Sequence, residues 1–391
     1  MKKVKHIIAL TINIAFAFFI SVNVNAQENY KGVSKADSLR TYPGGPSYNV
    51  KTYPSQFKRT HPKNVILMIG DGMGTAQIYA GLTANHGDLF LSNFHYSGFS
   101  RTQSSDHYVT DSAAGGTALS TGHKTLNGAL AVDPQQKTIE TILEMAVKKN
   151  KATGLVSTSS ITHATPASFI AHQASRGSYE DIALDFMKTN FTVFIGGGYK
   201  HFHDRKDGKD LIPELEKKGY KVLRSMEEIQ KVKSGKLAGL TADEHNPRYP
   251  ERGDMLPQST HKAIDLLSMN PKGFFLMVEG SQIDWGGHQN DTRYIVDEML
   301  DFDRAIGQAL DFASKNKETL IIVTADHETG GFSLLDGNMK TGMVKGAFTT
   351  GDHSGVMVPI FAYGPGAEEF SGMMENTEVA KKIIDLLQLK K

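Results

Sequence analysis

Residues 64–74 read NVILMIGDGMG, in which the apolar run 65–69 leads without a break into a glycine-rich turn that carries Asp71. A short continuous apolar run bounded by glycine is typical of a strand buried on both faces. Amphipathic stretches, which predict helices, separate this run from similar ones. The other apolar runs are 153–156, 192–195, 274–278, 320–323 and 358–362, and the helical stretches are 138–149, a segment capped at Ser178, 291–316 and 377–389. This alternation predicts an α/β fold, a single large domain with a mostly parallel sheet sandwiched by helices on both faces.

The first 26 residues have the pattern of a secretory signal peptide. Three early lysines precede an apolar run at 7–22, and the segment ends in the small-residue pattern Val24-Asn25-Ala26. A membrane anchor is the alternative, but the run is short for a span and contains Thr11 and Asn13. We therefore expect cleavage after Ala26, no membrane anchor in the mature chain, and export to the periplasm or the medium. The chain has no cysteine, which excludes disulfides and a cysteine-linked lipid.

The rest of the chain divides into an arm and a main domain. Residues 27–60 lack the strand–helix rhythm, contain Pro43-Gly-Gly-Pro46, and predict an extended N-terminal arm before the main domain at 61–391. Within that domain, 201–257 is charged and weakly periodic, which predicts a surface insertion beside the sheet. Without the three lysines of the signal peptide, the 43 basic residues fall to 40 against 42 acidic ones. This balance indicates no nucleic-acid-binding surface.

Reactive side chains recur where the predicted strands end. Functional residues of open parallel sheets gather beyond the carboxyl ends of the strands. The residues at these positions are Asp71, His163, Thr165, Glu279, Asp284, His288, Asp326 and His327, with His353 just before the last run. Each of them alone has an ordinary explanation as a turn, cap or loop residue. At one edge of one sheet, however, they predict a metal centre.

The types of ligand indicate which ions this centre binds. Imidazole mixed with carboxylate suits zinc, and an all-oxygen set suits magnesium, so the residues are sufficient for two zinc ions and one magnesium ion. A zinc pair can clamp a phosphorus centre during in-line displacement. Ser112, in the small-residue stretch VTDSAAGGTAL at 109–119, has no histidine in that stretch to take its proton. A zinc ion bound to its hydroxyl would activate it as a nucleophile instead.

Six motifs follow one another over residues 64–367: GDGMG, VTDSAAGGTALSTGHKTLNGAL, HATPASFIAH, EGSQIDWGGH, TADHETGG and HSGVMVPI. In their sequences and in this order, they resemble the motifs of the alkaline phosphatase family. The resemblance implies that 61–391 is an alkaline-phosphatase-like catalytic domain, with a reduced crown insertion between Gly331 and His353. It implies hydrolysis of phosphate monoesters to alcohol and inorganic phosphate through a covalent phosphoserine. Because the family usually dimerises, it also implies a homodimer.

The resemblance also assigns a role to each site residue. Asp284, His288 and His353 would bind the first zinc ion, and Asp71, Asp326 and His327 would bind the second, with Ser112 as the nucleophile. Asp71, Thr165 and Glu279 would bind magnesium, with His163 beside it where the best-known enteric enzyme has aspartate. Arg176 would hold two phosphate oxygens, although a lone arginine is more often part of a surface ion pair. Trp285, at a substrate-binding position, replaces the lysine of the enteric enzyme and the histidine of animal enzymes, which implies weaker phosphate binding.

Two other classes of protein are alternatives. One is a phosphodiesterase or sulfatase of the same superfamily. Sulfatases need a Cys or Ser followed by Pro and Arg, which Ser112-Ala-Ala does not provide. Diesterases usually have a threonine nucleophile and lack a counterpart of Arg176. The second alternative is a non-catalytic exported protein that binds metal. Such a protein would require neither Ser112 nor Arg176.

Overall fold

A ten-stranded sheet forms the centre of the protein. The computed structural model describes residues 38–55, 57 and 60–390, so the predicted signal peptide and the start of the predicted arm lie outside the described residues. Residues Leu39–Lys391 form one compact unit. In the described part of the chain, no helix combines the length and apolar character needed to span a membrane.

The described residues contain fifteen strands and twelve α-helices, labelled here in chain order. Strands β1 to β15 are Thr41–Tyr42, Asn64–Gly70, Tyr96–Arg101, Ala152–Ser160, Val193–Gly197, Tyr220–Leu223, Lys236–Leu240, Phe274–Gly280, Thr319–Thr324, Glu328–Thr329, Ser333–Asn338, Met343–Ala347, His353–Ser354, Val358–Tyr363 and Gly372–Glu375. Helices α1 to α12 are Thr75–Ala84, Ser112–Thr121, Ile142–Lys148, Ala164–Ala167, Tyr179–Asp185, Tyr199–His203, Ile212–Lys217, Met226–Lys231, Met255–Leu267, Gln282–His288, Thr292–Asn316 and Asn376–Leu386. Short 3₁₀ turns occupy Ser38–Arg40, Phe90–Asn93 and Ala367–Phe370.

The main sheet is mostly parallel, as predicted. Its strand order is β15-β3-β14-β9-β2-β8-β4-β5-β7-β6, and the strands from β9 to β6 are parallel to one another. Strand β14, expected to be parallel from its apolar character, instead runs antiparallel to both β9 and β3. A buried apolar run does not encode strand direction. Because β14 is reversed, the segment before it lies at the same edge as the carboxyl ends of the other strands.

Alternating side chains of the strands supply two separate cores. In β2, Ile66 and Met68 pack into one core, and Val65, Leu67 and Ile69 pack into the other. Helices α9 and α11 cover the first core, whereas α3 and α12 cover the second. Both faces are therefore buried, which explains why β2 is apolar from Val65 to Ile69 instead of alternating with polar residues.

Helix starts follow local capping chemistry. The helix predicted at 138–149 begins only at Ile142, because Thr141 and Glu144 form a capping box there. Asp291 caps α11 by accepting hydrogen bonds from the backbone N–H groups of Arg293 and Tyr294. Ser178 does precede α5, but its side chain makes no capping hydrogen bond.

The segment 201–257, predicted as a surface insertion beside the sheet, contributes β6 and β7 to one edge of that sheet. The described part of the predicted arm also joins the fold, since β1 pairs with β12 in a three-stranded sheet. Strands β11 and β12 form the short hairpin that occupies the region between Gly331 and His353. A small two-stranded ladder then places Thr329 opposite His353.

Candidate metal centre

Ser112 is the first residue of helix α2, and small residues let the helix approach the neighbouring strand ends. Asp111 caps the helix by accepting a 3.0 Å hydrogen bond from Ala114 N. All ten residues of α2 are buried, Ser112 among them. A Cβ on Gly115 would lie 3.0 Å from both Cβ and the carbonyl oxygen of Asp326. The glycine is therefore what brings the helix against Asp326.

The first cluster surrounds His327. Its Nε2 atom lies 3.2 Å from Ser112 Oγ, 3.4 Å from Asp71 Oδ1 and 3.3 Å from Asp326 Oδ2. Both carboxylate oxygens are buried and have no hydrogen-bond partner among the described residues. One ring nitrogen carries at most one proton and cannot satisfy three oxygens. A cation shared by the nitrogen and the oxygens would satisfy all of them, so these residues fit a metal ion.

A second cluster joins two histidines to Asp284. Nδ1 of His288 lies 2.9 Å from the carbonyl oxygen of Gly351, and Nδ1 of His353 lies 2.8 Å from that of Thr110. Because a carbonyl only accepts, both Nδ1 atoms carry protons, and in neutral rings the Nε2 atoms carry lone pairs. Those two Nε2 atoms lie 3.2 Å apart.

Each carboxylate oxygen of Asp284 lies near one of these two Nε2 atoms. Its Oδ2 is 3.4 Å from His288 Nε2, and its Oδ1 is 3.5 Å from His353 Nε2. A hydrogen bond to Asp284 raises the pKa of His288 to about 9, so without a metal ion a proton binds the Nε2 lone pair, and a bound cation would replace that proton. The two Nε2 atoms and the carboxylate together form a site for positive charge. The hydrogen bonds from the Nδ1 atoms to backbone carbonyls are the arrangement that orients histidine ligands in metal sites.

A third cluster contains Asp71, Glu279, Thr165 and His163. Ligand atoms of Asp71, His163 and Glu279 lie within 4.8 Å of one another, and Thr165 Oγ1 donates to Asp71 Oδ2 at 3.4 Å. Glu279 Oε1 and His163 Nδ1 are buried without a hydrogen-bond partner among the described residues. Ser157 Oγ donates to the other oxygen of Glu279 at 2.6 Å. The oxygen-rich set fits a magnesium ion.

Burial and mutual repulsion make this group of carboxylates costly without cations. Burial, followed by the charges of Asp326, Asp284 and Glu279, raises the pKa of Asp71 well above its ordinary range. Burial also raises the pKa of Asp326. It lowers the pKa of His327, which leaves that ring neutral and able to act as a ligand. The electrostatics therefore agree with the geometry in indicating bound cations.

Arg176 and Trp285 form the side of the site near the third cluster. Arg176 Nη1 donates to Asp111 Oδ2 at 3.0 Å, and its Nη2 lies 3.3 Å from His163 Nε2. The Trp285 ring is partly exposed and lies edge-to-face with His163, with 6.3 Å between ring centroids. The structure thus brings all twelve residues singled out in the sequence to one edge of the sheet.

Several neighbours of the site were not singled out from the sequence. Asp111 stands directly before Ser112. An aspartate immediately before a run of small residues is an N-cap pattern, and this pattern could have identified Asp111 from the sequence. Thr329 donates to Asp284, and Asp352 could complete a cluster with His288 and His353. His245 lies on a loop within 201–257, where no apolar pattern points to a site.

Comparisons with known proteins show which family the chain is similar to. A family model described as alkaline phosphatase matches residues 62–347 and 336–389. Alkaline phosphatase 4 of Bacillus subtilis (strain 168) is 36% identical over 411 residues, covering 83% of this chain and 89% of that protein. The alkaline phosphatase of Escherichia coli (strain K12) is 34% identical and covers 81% and 84%. Among solved structures, a His-to-Asp mutant of TAB5 alkaline phosphatase with Mg bound in the M3 site is 42% identical, with a TM-score of 0.81, covering 85% of this chain and all of that one.

The fold, the convergent ligands and these matches place the chain in one family: it belongs to the alkaline phosphatases. It is a phosphoric monoester hydrolase that depends on metal.

Proposed function

We propose that the chain hydrolyses phosphate monoesters through a covalent phosphoserine at Ser112, in a site that holds two zinc ions and one magnesium ion. The observation that carries this proposal is the position of Ser112 Oγ, 3.2 Å from His327 Nε2. The same nitrogen faces two buried carboxylates without hydrogen-bond partners among the described residues.

The three clusters define the proposed ion sites. One zinc ion would be held by Asp284, His288 and His353, the other by Asp71, Asp326 and His327, and magnesium by Asp71, Thr165 and Glu279, with His163 beside it. When bound, such ions lower the pKa of bound hydroxyl groups and neutralise charge on phosphoryl oxygens. Mixed nitrogen and oxygen ligands favour zinc at the first two sites. The carboxylate and hydroxyl oxygens of the third cluster favour magnesium, an ion that a His-to-Asp mutant of TAB5 alkaline phosphatase binds in its M3 site.

The chain's own residues position and stabilise the reacting phosphoryl group. Ser112 Oγ would release its proton to water and form a bond to phosphorus while the ester P–O bond breaks. The departing alkoxide would take a proton from water and leave as the alcohol. Arg176 would hold two phosphoryl oxygens with its planar guanidinium. The start of α2 presents backbone N–H groups toward the same anion. Water would then cleave the phosphoserine, which releases inorganic phosphate and restores Ser112.

The proposal extends to where the enzyme acts and how it assembles. Residues 1–26 support export to the periplasm or the medium, because they combine early lysines, an apolar run and a small-residue cleavage pattern. N-terminal sequencing of protein recovered outside the cytoplasm should then begin at Gln27. We further propose a homodimer, which sedimentation of the mature enzyme would reveal as twice the mass of one chain. A monomer would refute this part of the proposal.

Hydrolysis of an aryl phosphate between pH 7 and 10 tests the chemistry. Chelation should abolish turnover, and zinc together with magnesium should restore it. Ser112→Ala should retain its bound zinc but lose turnover, and only the wild-type enzyme should show phosphate on Ser112 after rapid acid quenching. Faster hydrolysis of a diester than of the matched monoester would favour the phosphodiesterase alternative. Zinc binding without turnover in the wild-type protein would favour the non-catalytic one.

A further inference from the structure

His245 lies beside the predicted site without having been assigned a role there. Its ring packs edge-to-face against Trp285, with 4.9 Å between centroids, and against His163, with 5.6 Å. His163 in turn lies 3.3 Å from the guanidinium of Arg176. The three aromatic rings and Arg176 therefore form one continuous wall beside the proposed position of the phosphoryl group.

A backbone contact fixes which nitrogen of His245 carries the proton. The N–H of Ser160 donates to His245 Nδ1 at 3.0 Å. Because a backbone N–H can only donate, Nδ1 must hold a lone pair, and the proton of the ring lies on Nε2. Ser160 is the last residue of β4, so the ring is anchored to the rigid sheet.

The Nε2–H group of His245 is available for a ligand. It has no hydrogen-bond partner in the part of the chain that the structure describes, and the residue is partly exposed. The neighbouring Glu244 is already paired with Lys200, so its charge is compensated. The contact of Nδ1 with Ser160 thus holds the ring in place, with a neutral N–H donor on a residue that packs against Trp285 and His163.

We propose that His245 is a substrate-binding residue that donates a hydrogen bond from Nε2 to an oxygen of the bound phosphate, directly or through one water molecule. The inference rests on the proposed function, since it requires phosphate to bind between Ser112 and Arg176. His245 adds a donor on the side of the site that Trp285 leaves without a charge. Such a donor holds both the substrate ester and the inorganic phosphate product.

Two substitutions separate the donor role from a structural one. His245→Asn places an amide oxygen where it can accept from Ser160 but offers no donor at the Nε2 position. His245→Gln extends an amide N–H to the Nε2 position but does not keep the acceptor. Calorimetry of inorganic phosphate binding to the metal-loaded enzyme should show affinity about tenfold weaker for His245→Asn. Affinity of His245→Gln should stay within about threefold of wild type, and KM for an aryl phosphate should follow the same order.

The reverse order would overturn the inference, because it would show that His245 only anchors Ser160. Equal affinities in the wild-type and both variant enzymes would overturn it as well. Zinc content of each variant should match the wild type and each should remain folded, although His245→Gln should unfold at a somewhat lower temperature because Ser160 N–H loses its acceptor. If the wild-type enzyme hydrolyses monoesters but the variants bind phosphate alike, only the donor role fails. If the phosphate affinities of the wild type and the variants differ as expected but the wild type hydrolyses no monoester, the proposed function fails and the donor role stands.

A measurement on the wild-type protein checks the tautomer without any substitution. Long-range proton–nitrogen NMR should show an unprotonated Nδ1 and a protonated Nε2 for His245. The Nε2 proton should shift downfield when inorganic phosphate is added. A ring protonated at Nδ1 would contradict the inference.

Discussion

Asp111 connects Arg176 to the helix that begins with Ser112. One oxygen of Asp111 accepts a 3.0 Å hydrogen bond from Arg176 Nη1, and the other accepts one of the same length from Ala114 N. The first oxygen also accepts from Gly128 N at 3.0 Å. A single carboxylate therefore positions both the proposed nucleophile and the guanidinium proposed to hold the phosphate.

Replacing Asp111 should separate these two effects. Asp111→Asn keeps an oxygen for the helix cap, but its amide N–H₂ would face the donors Arg176 and Gly128. We expect kcat/KM for an aryl phosphate to fall at least tenfold, because Arg176 loses its anchor. Asp111→Ala should show a similar loss of activity. Its free energy of unfolding should be about 1 kcal/mol lower than that of the Asn variant, because the helix cap is lost. Wild-type kcat/KM in Asp111→Asn would rule out this positioning role.

Trp285→Lys should tighten product inhibition. An ammonium group beside His163 would add positive charge to the phosphate side of the site, where the indole has none. The inhibition constant of inorganic phosphate should fall several-fold, while Trp285→Phe, which adds no charge, should leave it close to wild type. An unchanged constant in the lysine variant would count against the assignment of Trp285 to the substrate-binding site.

Glu279→Gln should weaken the third ion site selectively. Glu279 is fully buried, and its Oε1 has no hydrogen-bond partner among the described residues. Replacing one charged oxygen by an amide should raise the magnesium concentration for half-maximal activation at least tenfold. Ser157→Ala, which removes the hydrogen bond to Oε2, should have a smaller effect in the same direction. Equal magnesium dependence in all three proteins would contradict magnesium binding at this cluster.

Asp303 should make stability depend on pH far from the active site. It is buried, and its carboxylate accepts hydrogen bonds from Tyr48 Oη and from the backbone N–H groups of Phe90 and Leu91. Burial raises its pKa from 3.8 to about 6. The folded protein therefore retains this proton at a pH where the unfolded chain has released it, so stability falls as pH rises between about 4 and 6.

Asp303→Asn removes that titration and serves as the comparison. We expect the difference in free energy of unfolding, wild type minus variant, to decrease by about 2 to 3 kcal/mol between pH 4 and pH 7. Denaturant unfolding of the two metal-loaded proteins at several pH values would measure it. Parallel stability curves would show that Asp303 does not titrate as its burial implies.

The sequence predicted the strand ends well because their chemistry is local. An apolar run followed by glycine and Asp71, or by Asp326 and His327, identifies both a buried strand and the functional residues after it. The direction of β14 is not local, because strand pairing depends on contacts far along the chain. His353 nevertheless reaches the site, since the reversal of β14 places its preceding loop at the same sheet edge.

The edge of the sheet and the neighbours of the site were harder to predict. Strand β6, YKVL, is short and has a buried residue only at its first position, so it has no strong pattern of its own. It is a strand because β7 pairs with it. His245 reaches Trp285 only because the loop after β7 folds back over the end of β4. Such contacts arise from packing between distant segments and leave no periodic signal.

Anomalous diffraction at the zinc absorption edge, from crystals of the zinc- and magnesium-loaded enzyme, tests the central claim most directly. The claim is that side chains from separate strand ends converge on two zinc ions beside Ser112. We predict one peak among Asp284, His288 and His353, and a second among Asp71, Asp326 and His327, within bonding distance of Ser112 Oγ. Zinc peaks elsewhere, with these six side chains unliganded, would contradict the account.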